Sequence, residues 1–113
     1  MNTLLKFASV SLLGFSGSLF AHDFDSCKIV EVVAAGAQNG HIQLDCVVKN
    51  APACAGAPSF VGFDKSTEEG KQYLSIALAA FATNANVSGN VDKNACSPHQ
   101  GNVPLLQHLR LKK

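Results

Sequence analysis

The sequence predicts a mainly β domain with a single helix, and three observations support this. Short runs rich in Val and Ile, some of them alternating with polar residues, recur along the chain and are typical of half-buried strands. Stretches with Gly, Pro and Asn separate these runs and predict turns. Only the stretch STEEGKQYLSIALAAFATNA, residues 66–85, carries apolar residues at helical spacing over a long segment.

Three strands are predicted before the helix. The first covers residues 28–34, which are rich in Val and Ile, and the second covers residues 41–49, where apolar and polar side chains alternate. The third covers residues 59–65 and contains Gly62, which indicates a bulge or the close approach of another backbone. The segment 50–58 has two prolines and small residues, so it is predicted to be a loop.

The helix is predicted to begin at a capping box, because Ser66 is followed three residues later by Glu69. Apolar residues at helical spacing predict the face that packs on the strands, namely Leu74, Ala77, Leu78 and Phe81, widened by Tyr73, Ile76 and Ala80. A second face is small and uncharged and consists of Gln72, Ser75, Ala79 and Thr83. This second face would suit close packing against another helix in an oligomer. The alternative is a single helix that lies on a sheet with an Ala-rich outer face.

Two further strands are predicted after the helix, over residues 86–92 and 103–111, with a long loop at 93–102 between them. The resulting order is β-β-β-α-β-β. This is the order of the OB-fold, a five-stranded, partly open barrel in which the helix closes one end. The alternative is an α+β sheet with one helix lying across it.

The N-terminal segment has the pattern of a secretory signal peptide. Lys6 supplies the positive charge, an apolar stretch covers residues 7–20, and Ala21 is a small residue at a cleavage point. The apolar stretch is too short for a spanning helix, and no later segment is long and apolar enough to cross a membrane. We therefore expect a signal peptide at 1–21 and one domain at 22–113, secreted or periplasmic after cleavage.

The four cysteines, Cys27, Cys46, Cys54 and Cys96, predict two disulfides. Their spacing is too wide for the paired cysteines of a typical four-thiolate metal site. Four cysteines allow three connectivities, and the sequence alone does not select one. A hairpin loop at about residues 35–40 would let Cys27 face Cys46 across two strands. This geometry favours the pairs Cys27–Cys46 and Cys54–Cys96.

The sequence predicts no catalytic residue, no cofactor and no metal ligand, and hence no enzyme. It contains neither a serine nucleophile motif nor a Gly-rich phosphate loop before the helix, and its cysteines are expected to be bridged. The histidines follow no metal-binding spacing, so we expect them at the surface. Cleavage would nevertheless make His22 the first residue, and a free amine with an imidazole can hold copper.

The composition excludes nucleic acid as the main partner. Without Lys6, eight basic residues balance eight acidic ones, and no basic stripe is present to neutralise phosphates.

Two phenylalanines are the candidate ligand-binding aromatics. Phe60 and Phe63 cannot both face one side of a regular strand, so one of them could be exposed. The alternative is that both pack in the core around the irregularity at Gly62. OB-fold ligands commonly use the barrel face and the connecting loops, which points to the predicted loops 50–58 and 93–102.

One stretch of the chain resembles a known family. EEGKQYLSIALAAFATNANVSGNVDKNAC, residues 68–96, has a helix ending in small residues, then a short strand with Val, then a cysteine. This pattern resembles the B subunits of bacterial AB5 toxins, especially the subtilase-cytotoxin and pertussis-like group. The resemblance holds at residue level over 70–96 and elsewhere only in layout, and it identifies no site residues.

The resemblance implies a secreted, non-catalytic binding module that forms a homopentamer around its helices. It also implies recognition of carbohydrate or host-surface glycan and an exported enzymatic subunit as a partner. The alternative is a monomeric periplasmic OB-fold protein that binds a small molecule or an envelope component.

Overall fold

The computed structural model describes residues 21–112, so the predicted signal peptide lies outside the described residues except for Ala21. Five strands and one helix follow one another as β1 (Phe24–Ala35), β2 (Asn39–Leu44), β3 (Phe60–Asp64), α1 (Glu68–Thr83), β4 (Asn86–Ser97) and β5 (Gln100–Lys112). The predicted mainly β class and the order β-β-β-α-β-β are confirmed. Within residues 21–112, no helix has the length and apolar character needed to cross a membrane.

The strands pair in the cyclic order β1-β2-β3-β5-β4, and β4 pairs back to β1. Every pairing is antiparallel except that of β3 with β5, where Gly62 lies opposite Leu105 in parallel register. A Cβ atom added at Gly62 would lie 2.9 Å from Cβ of Ser97, closer than side chains normally approach. The atoms that approach this glycine closely belong to the side chains of Ser97 and Val103, and not to another backbone as predicted.

A bulge in β1 brings the first disulfide into register. The β1–β2 turn occupies residues 36–38 and places Gly36 at a φ of 63°, which glycine adopts readily. From the turn back along β1, the pairing with β2 is regular as far as Glu31, and at Val30 the register shifts by one residue. The shift lets Cys27 bond to Cys46, with Cα atoms 5.9 Å apart.

The second disulfide joins Cys54 to Cys96 and ties the 45–59 connection to β4. The loop predicted at 93–102 is wrong, because β4 continues to Ser97 and β5 begins at Gln100. Irregular pairings accommodate Pro104 opposite Cys96, and Asn102 O accepts backbone hydrogen bonds from Gly56 and Ala57. These distant partners stabilise a hairpin whose own residues are typical of a loop.

The helix begins one residue later than the predicted capping box. Thr67 is the N-cap, and its Oγ1 accepts a hydrogen bond of 2.9 Å from the backbone N–H of Gly70. Ser66 instead donates to the Asp64 carboxylate through both its backbone N–H and its hydroxyl. The helix ends at Thr83, and its C-cap, Asn84, has the left-handed backbone that is common after the last turn of a helix.

The helix face that packs on the strands overlaps only in part with the predicted one: Ala77 is buried and Leu74 packs against the core as predicted. Its buried residues are Gly70, Tyr73, Ala77 and Ala80, whereas Leu78 and Phe81 are 50% and 51% exposed. The prediction of Leu78 and Phe81 as core residues is therefore wrong. Small residues on the inner face allow closer packing, since an added Cβ at Gly70 would lie 1.8 Å from the Asp64 carbonyl oxygen. The core lies inside the cyclic sheet and beneath this inner helix face.

Candidate functional site

A cavity of about 410 Å³ lies at the N-terminal end of α1, between the end of β3 and the middle of β5. This volume is typical of cavities that bind small ligands. Nine residues line it: Phe63, Asp64, Thr67, Glu69, Gly70, Tyr73, Leu105, Leu106 and Gln107.

The inner wall of the cavity is apolar and closely packed. The rings of Phe63 and Tyr73 meet edge to face, with centroids 5.8 Å apart and planes at 70°. Phe63 lies directly on Gly40, where an added Cβ would be 2.7 Å from the ring. Leu105 and Leu106 of β5 complete the apolar surface. The wall is therefore shaped before any ligand binds.

Tyr73 contributes a hydroxyl that stays protonated. Burial raises the pKa of Tyr73 to about 12, and the nearby negative charge of Glu69 adds to the effect. Glu69 itself lies in the first turn of α1, where the helix dipole favours a carboxylate. The pair therefore offers a ligand one neutral hydroxyl and one acceptor carboxylate.

Asp64 is a second carboxylate at the cavity. It accepts hydrogen bonds from Ser66, 2.9 Å from the backbone nitrogen and 2.5 Å from the hydroxyl, and its Oδ2 lies 3.4 Å from Nε2 of His99. The pKa of Asp64 is lowered, mainly by the hydrogen bond from the Ser66 hydroxyl and less by the Ser66 backbone N–H and by His99. Asp64 is therefore held in place and charged.

The rest of the polar rim comes from Thr67 and Gln107. The Thr67 hydroxyl donates to the Asp64 carbonyl and accepts from Gly70, so the helix cap already uses it. Gln107 contacts Asp92 through Nε2 at 3.3 Å and leaves its amide oxygen as an acceptor at the cavity. The site thus places carboxylates, a hydroxyl and an amide around an apolar wall. This arrangement can bind a ligand that has several hydroxyl or amino groups.

The two phenylalanines singled out from the sequence have different places. Phe63 is 2% exposed and belongs to the core, but its ring also lines the cavity. Phe60 is half-buried, lies near the ring of His41 with centroids 6.0 Å apart, and does not line the cavity.

The sequence did not identify Asp64, Glu69, Tyr73 or Gln107 as site residues. From the sequence alone, Asp64 is accounted for as a turn residue and Glu69 as a helix-cap residue. The only signal for a site was the number of polar residues near the helix N-terminus, and Gln107 joins them only through the β3–β5 pairing.

The residues predicted for an oligomer interface, Gln72, Ser75, Ala79 and Thr83, are all exposed on α1. Leu78 and Phe81 are half-exposed on the same helix, so its solvent side combines small polar and large apolar side chains. We call these six residues the outer helix face.

The cysteines offer no thiolate ligand for a metal. Cys27, Asp45 and Cys46 have candidate ligand atoms within 4.8 Å of one another, but the two sulfurs form a disulfide. Asp45 also accepts a hydrogen bond from the Lys28 backbone.

Comparisons with known protein families, with curated proteins and with solved structures find no match to this chain. Its function must therefore be inferred from the residues and their geometry.

Proposed function

We propose that the chain is an exported, non-catalytic OB-fold module and that the cavity at the N-terminus of α1 binds carbohydrate. The cyclic pairing of five strands and the helix between the third and fourth support the OB-fold. The two disulfides support export, because such bridges are typical of proteins in oxidising compartments.

The observation that carries the proposal is the convergence of Asp64, Glu69, Tyr73 and Gln107 on one preformed apolar wall. Sugars present hydroxyl groups at their edges and C–H groups on their faces. Carboxylates and amides can accept hydrogen bonds from the hydroxyls, while the apolar wall packs against a face. A cavity of about 410 Å³ has room for one or two sugar rings on the usual scale of ligand cavities.

The charge of the site selects among sugars. Asp64 and Glu69 make the rim negative, and among the lining residues of the cavity none is a Lys or Arg that would neutralise them. An acidic sugar would bring a third carboxylate to this rim and be repelled. Neutral sugars or amino sugars are therefore the proposed ligand class.

A glycan array probed with the purified oxidised protein tests this proposal. We expect binding to neutral or amino sugars in preference to acidic ones. Titration calorimetry with the best ligand should show that Gln107→Ala weakens binding up to about tenfold, since one hydrogen bond contributes about 0.5–1.5 kcal/mol. Gln38→Ala is the matched control, because it removes the same side chain from the exposed β1–β2 turn, outside both the cavity and α1. Equal affinity in the two variants, or no glycan bound, would contradict the proposal.

The outer helix face supports self-association as a second part of the proposed function. Leu78 and Phe81 are 50% and 51% exposed, and the exposed charged residues beside this face on α1, Glu68 and Lys71, form an ion pair of 3.5 Å with each other. A second copy of the chain is the proposed occupant, in a homopentamer that presents several cavities at once. The cavity and the outer helix face share no residue, so both can be occupied together. An exported enzymatic subunit would then be a partner of the assembly.

The alternative function is that of a monomeric periplasmic module for a small molecule or an envelope component. It requires the same cavity but no association through α1. The mass of the protein in solution distinguishes the two.

A further inference from the structure

Part of β1 is an open edge of the sheet. β4 pairs with β1 only as far as Lys28, so the rest of β1 pairs with β2 alone. The Leu44 N–H donates to Ser59 O, so the backbone groups of the even-numbered residues of β2 point to β3 and those of the odd-numbered ones point to β1. Val32 and Ala34 lie opposite even-numbered residues, and their backbone groups therefore point away from β2. No hydrogen bond from residues 21–112 reaches these groups, and we call residues 30–35 the β1 edge.

The last part of β5 is a second open edge. β3 ends at Asp64, and its register with β5 leaves the residues after 107 paired with β4 alone. Gly89 O accepts a hydrogen bond from the Asp23 N–H, so the backbone groups of Gly89 point to β1 and not to β5. Its partner Leu109 and the following alternate residue, Leu111, therefore point their backbone groups away from β4. These groups also have no hydrogen-bond partner among residues 21–112, and we call residues 108–112 the β5 edge.

The two edges carry exposed apolar side chains and opposite charges. Val30 on the β1 edge is 49% exposed, and Leu111 on the β5 edge is 45% exposed. Glu31 and Arg110 lie next to them and are exposed, and neither has an ion-pair partner within residues 21–112. An unpaired edge with apolar side chains is a template for another strand, and opposite charges across paired strands are favourable. Each edge therefore has the properties that the other edge requires of a partner.

We propose that the β5 edge of one copy of the chain pairs with the β1 edge of the next copy. The contact rests on the self-association proposed above for the outer helix face and adds a backbone interface to it. The start of the β1 edge lies beside the end of α1, because Lys28 Nζ donates to Asn84 O at 2.6 Å, so one neighbouring copy can contact both. The two edges are different surfaces, and each copy keeps one edge for a further copy. Such a head-to-tail contact gives a ring when its rotation closes.

Ala34→Pro tests the backbone pairing. Proline has no N–H, and the N–H of Ala34 points away from β2, so the change leaves the bonds between β1 and β2 in place. Light scattering of the oxidised protein over a range of concentrations should show association weakened by about tenfold or more, because the ring also blocks the approach of another strand. Ala53→Pro, in an exposed turn outside both edges, is the matched control and should associate as the unaltered protein does.

Exchange of the two charges identifies the partners. Glu31→Arg and Arg110→Glu should each weaken association by about threefold or more, because like charges then face each other across the contact. The double variant should restore the original affinity, since it only exchanges the two positions. Lys49→Glu is the control, because it reverses the charge of an exposed residue outside both edges. Circular dichroism of each variant establishes that it is folded.

Three results would overturn the edge contact, and they separate it from the self-association on which it rests. If Leu78→Glu separates the copies while Ala34→Pro and both charge variants associate normally, the outer helix face acts without the edges. If the double charge variant is as weak as the single ones, Glu31 and Arg110 do not meet. If the unaltered protein has the mass of one chain at every concentration, the self-association fails and the edge contact fails with it.

Discussion

At the scale of the residue, glycine decides how closely the elements approach. Gly62 could be recognised from the sequence, because a glycine inside a strand pattern usually marks a bulge or a close backbone approach. Gly70 could not, since a glycine in the first turn of a helix has no special meaning without knowledge of its neighbour. Its missing side chain is what lets α1 pack against the end of β3 and shapes the cavity.

Gly70→Ala should therefore destabilise the fold. The new Cβ would lie 1.8 Å from the Asp64 carbonyl, and a backbone atom cannot move aside as a flexible side chain can. We expect a loss of at least about 2 kcal/mol in the free energy of unfolding, measured by denaturant titration. Gly101→Ala is the control, because its Cβ would meet nothing within 4 Å. If both variants lose similar free energy of unfolding, the close packing of α1 on Asp64 does not limit the stability of the fold.

Tyr73 permits a second prediction, because it is the single tyrosine of a chain without tryptophan. Ultraviolet absorbance during an alkaline titration should report its native pKa at about 12. Because this pKa is raised above the ordinary value of about 10, its contribution to stability is complete below pH 10 and is lost as pH rises through 12.

Glu69→Gln should lower the pKa of Tyr73, since it removes the nearby negative charge. Glu68→Gln is the control on the same helical turn. A native tyrosine that ionises near pH 10 would mean that the cavity wall is open to water.

At the scale of the element, alternation and helical spacing located every strand and the helix, although the second strand ends at Leu44 and not at residue 49 as predicted. These local patterns gave wrong predictions where contacts between residues distant in sequence determine the structure. The hairpin of β4 and β5 contains Pro98 and Gly101 and was predicted as a loop, but the Cys54–Cys96 bridge and the bonds to Asn102 hold it as strand. The burial of Ala77 and Ala80 was predicted, but Leu78 and Phe81 were placed in the core because apolar size was taken as the guide, and they are half-exposed.

The two disulfides should stabilise the protein unequally. In the chain-entropy account a bridge contributes more when it closes a longer loop. The separations are 42 residues for Cys54–Cys96 and 19 for Cys27–Cys46, which correspond to about 4 and about 3 kcal/mol. Replacing each pair by alanines and measuring unfolding by denaturant should reproduce this order. A larger loss without Cys27–Cys46 than without Cys54–Cys96 would mean that the strand pairing at the Val30 bulge depends on the Cys27–Cys46 bridge.

At the scale of the whole molecule, the candidate site exists only after folding. Asp64 and Glu69 are near neighbours in sequence, but Leu105 to Gln107 reach them only through the single parallel pairing of β3 with β5. Local sequence patterns do not predict such a pairing between distant strands. The sequence therefore predicted the order of elements and the disulfides but not the cavity. The outer helix face was partly predicted, and Leu78 and Phe81 give it the apolar area that its small residues lack.

The central claim is that this is a binding module that assembles through the outer helix face. Light scattering of the oxidised chain 22–113 over a range of concentrations tests it most directly. We predict a mass of five chains that persists on dilution, which Leu78→Glu reduces to that of one chain. Val47→Glu is the control, because Val47 is an apolar residue exposed by 65% outside α1. A single-chain mass at every concentration would contradict the claim and leave the monomeric module as the account of this protein.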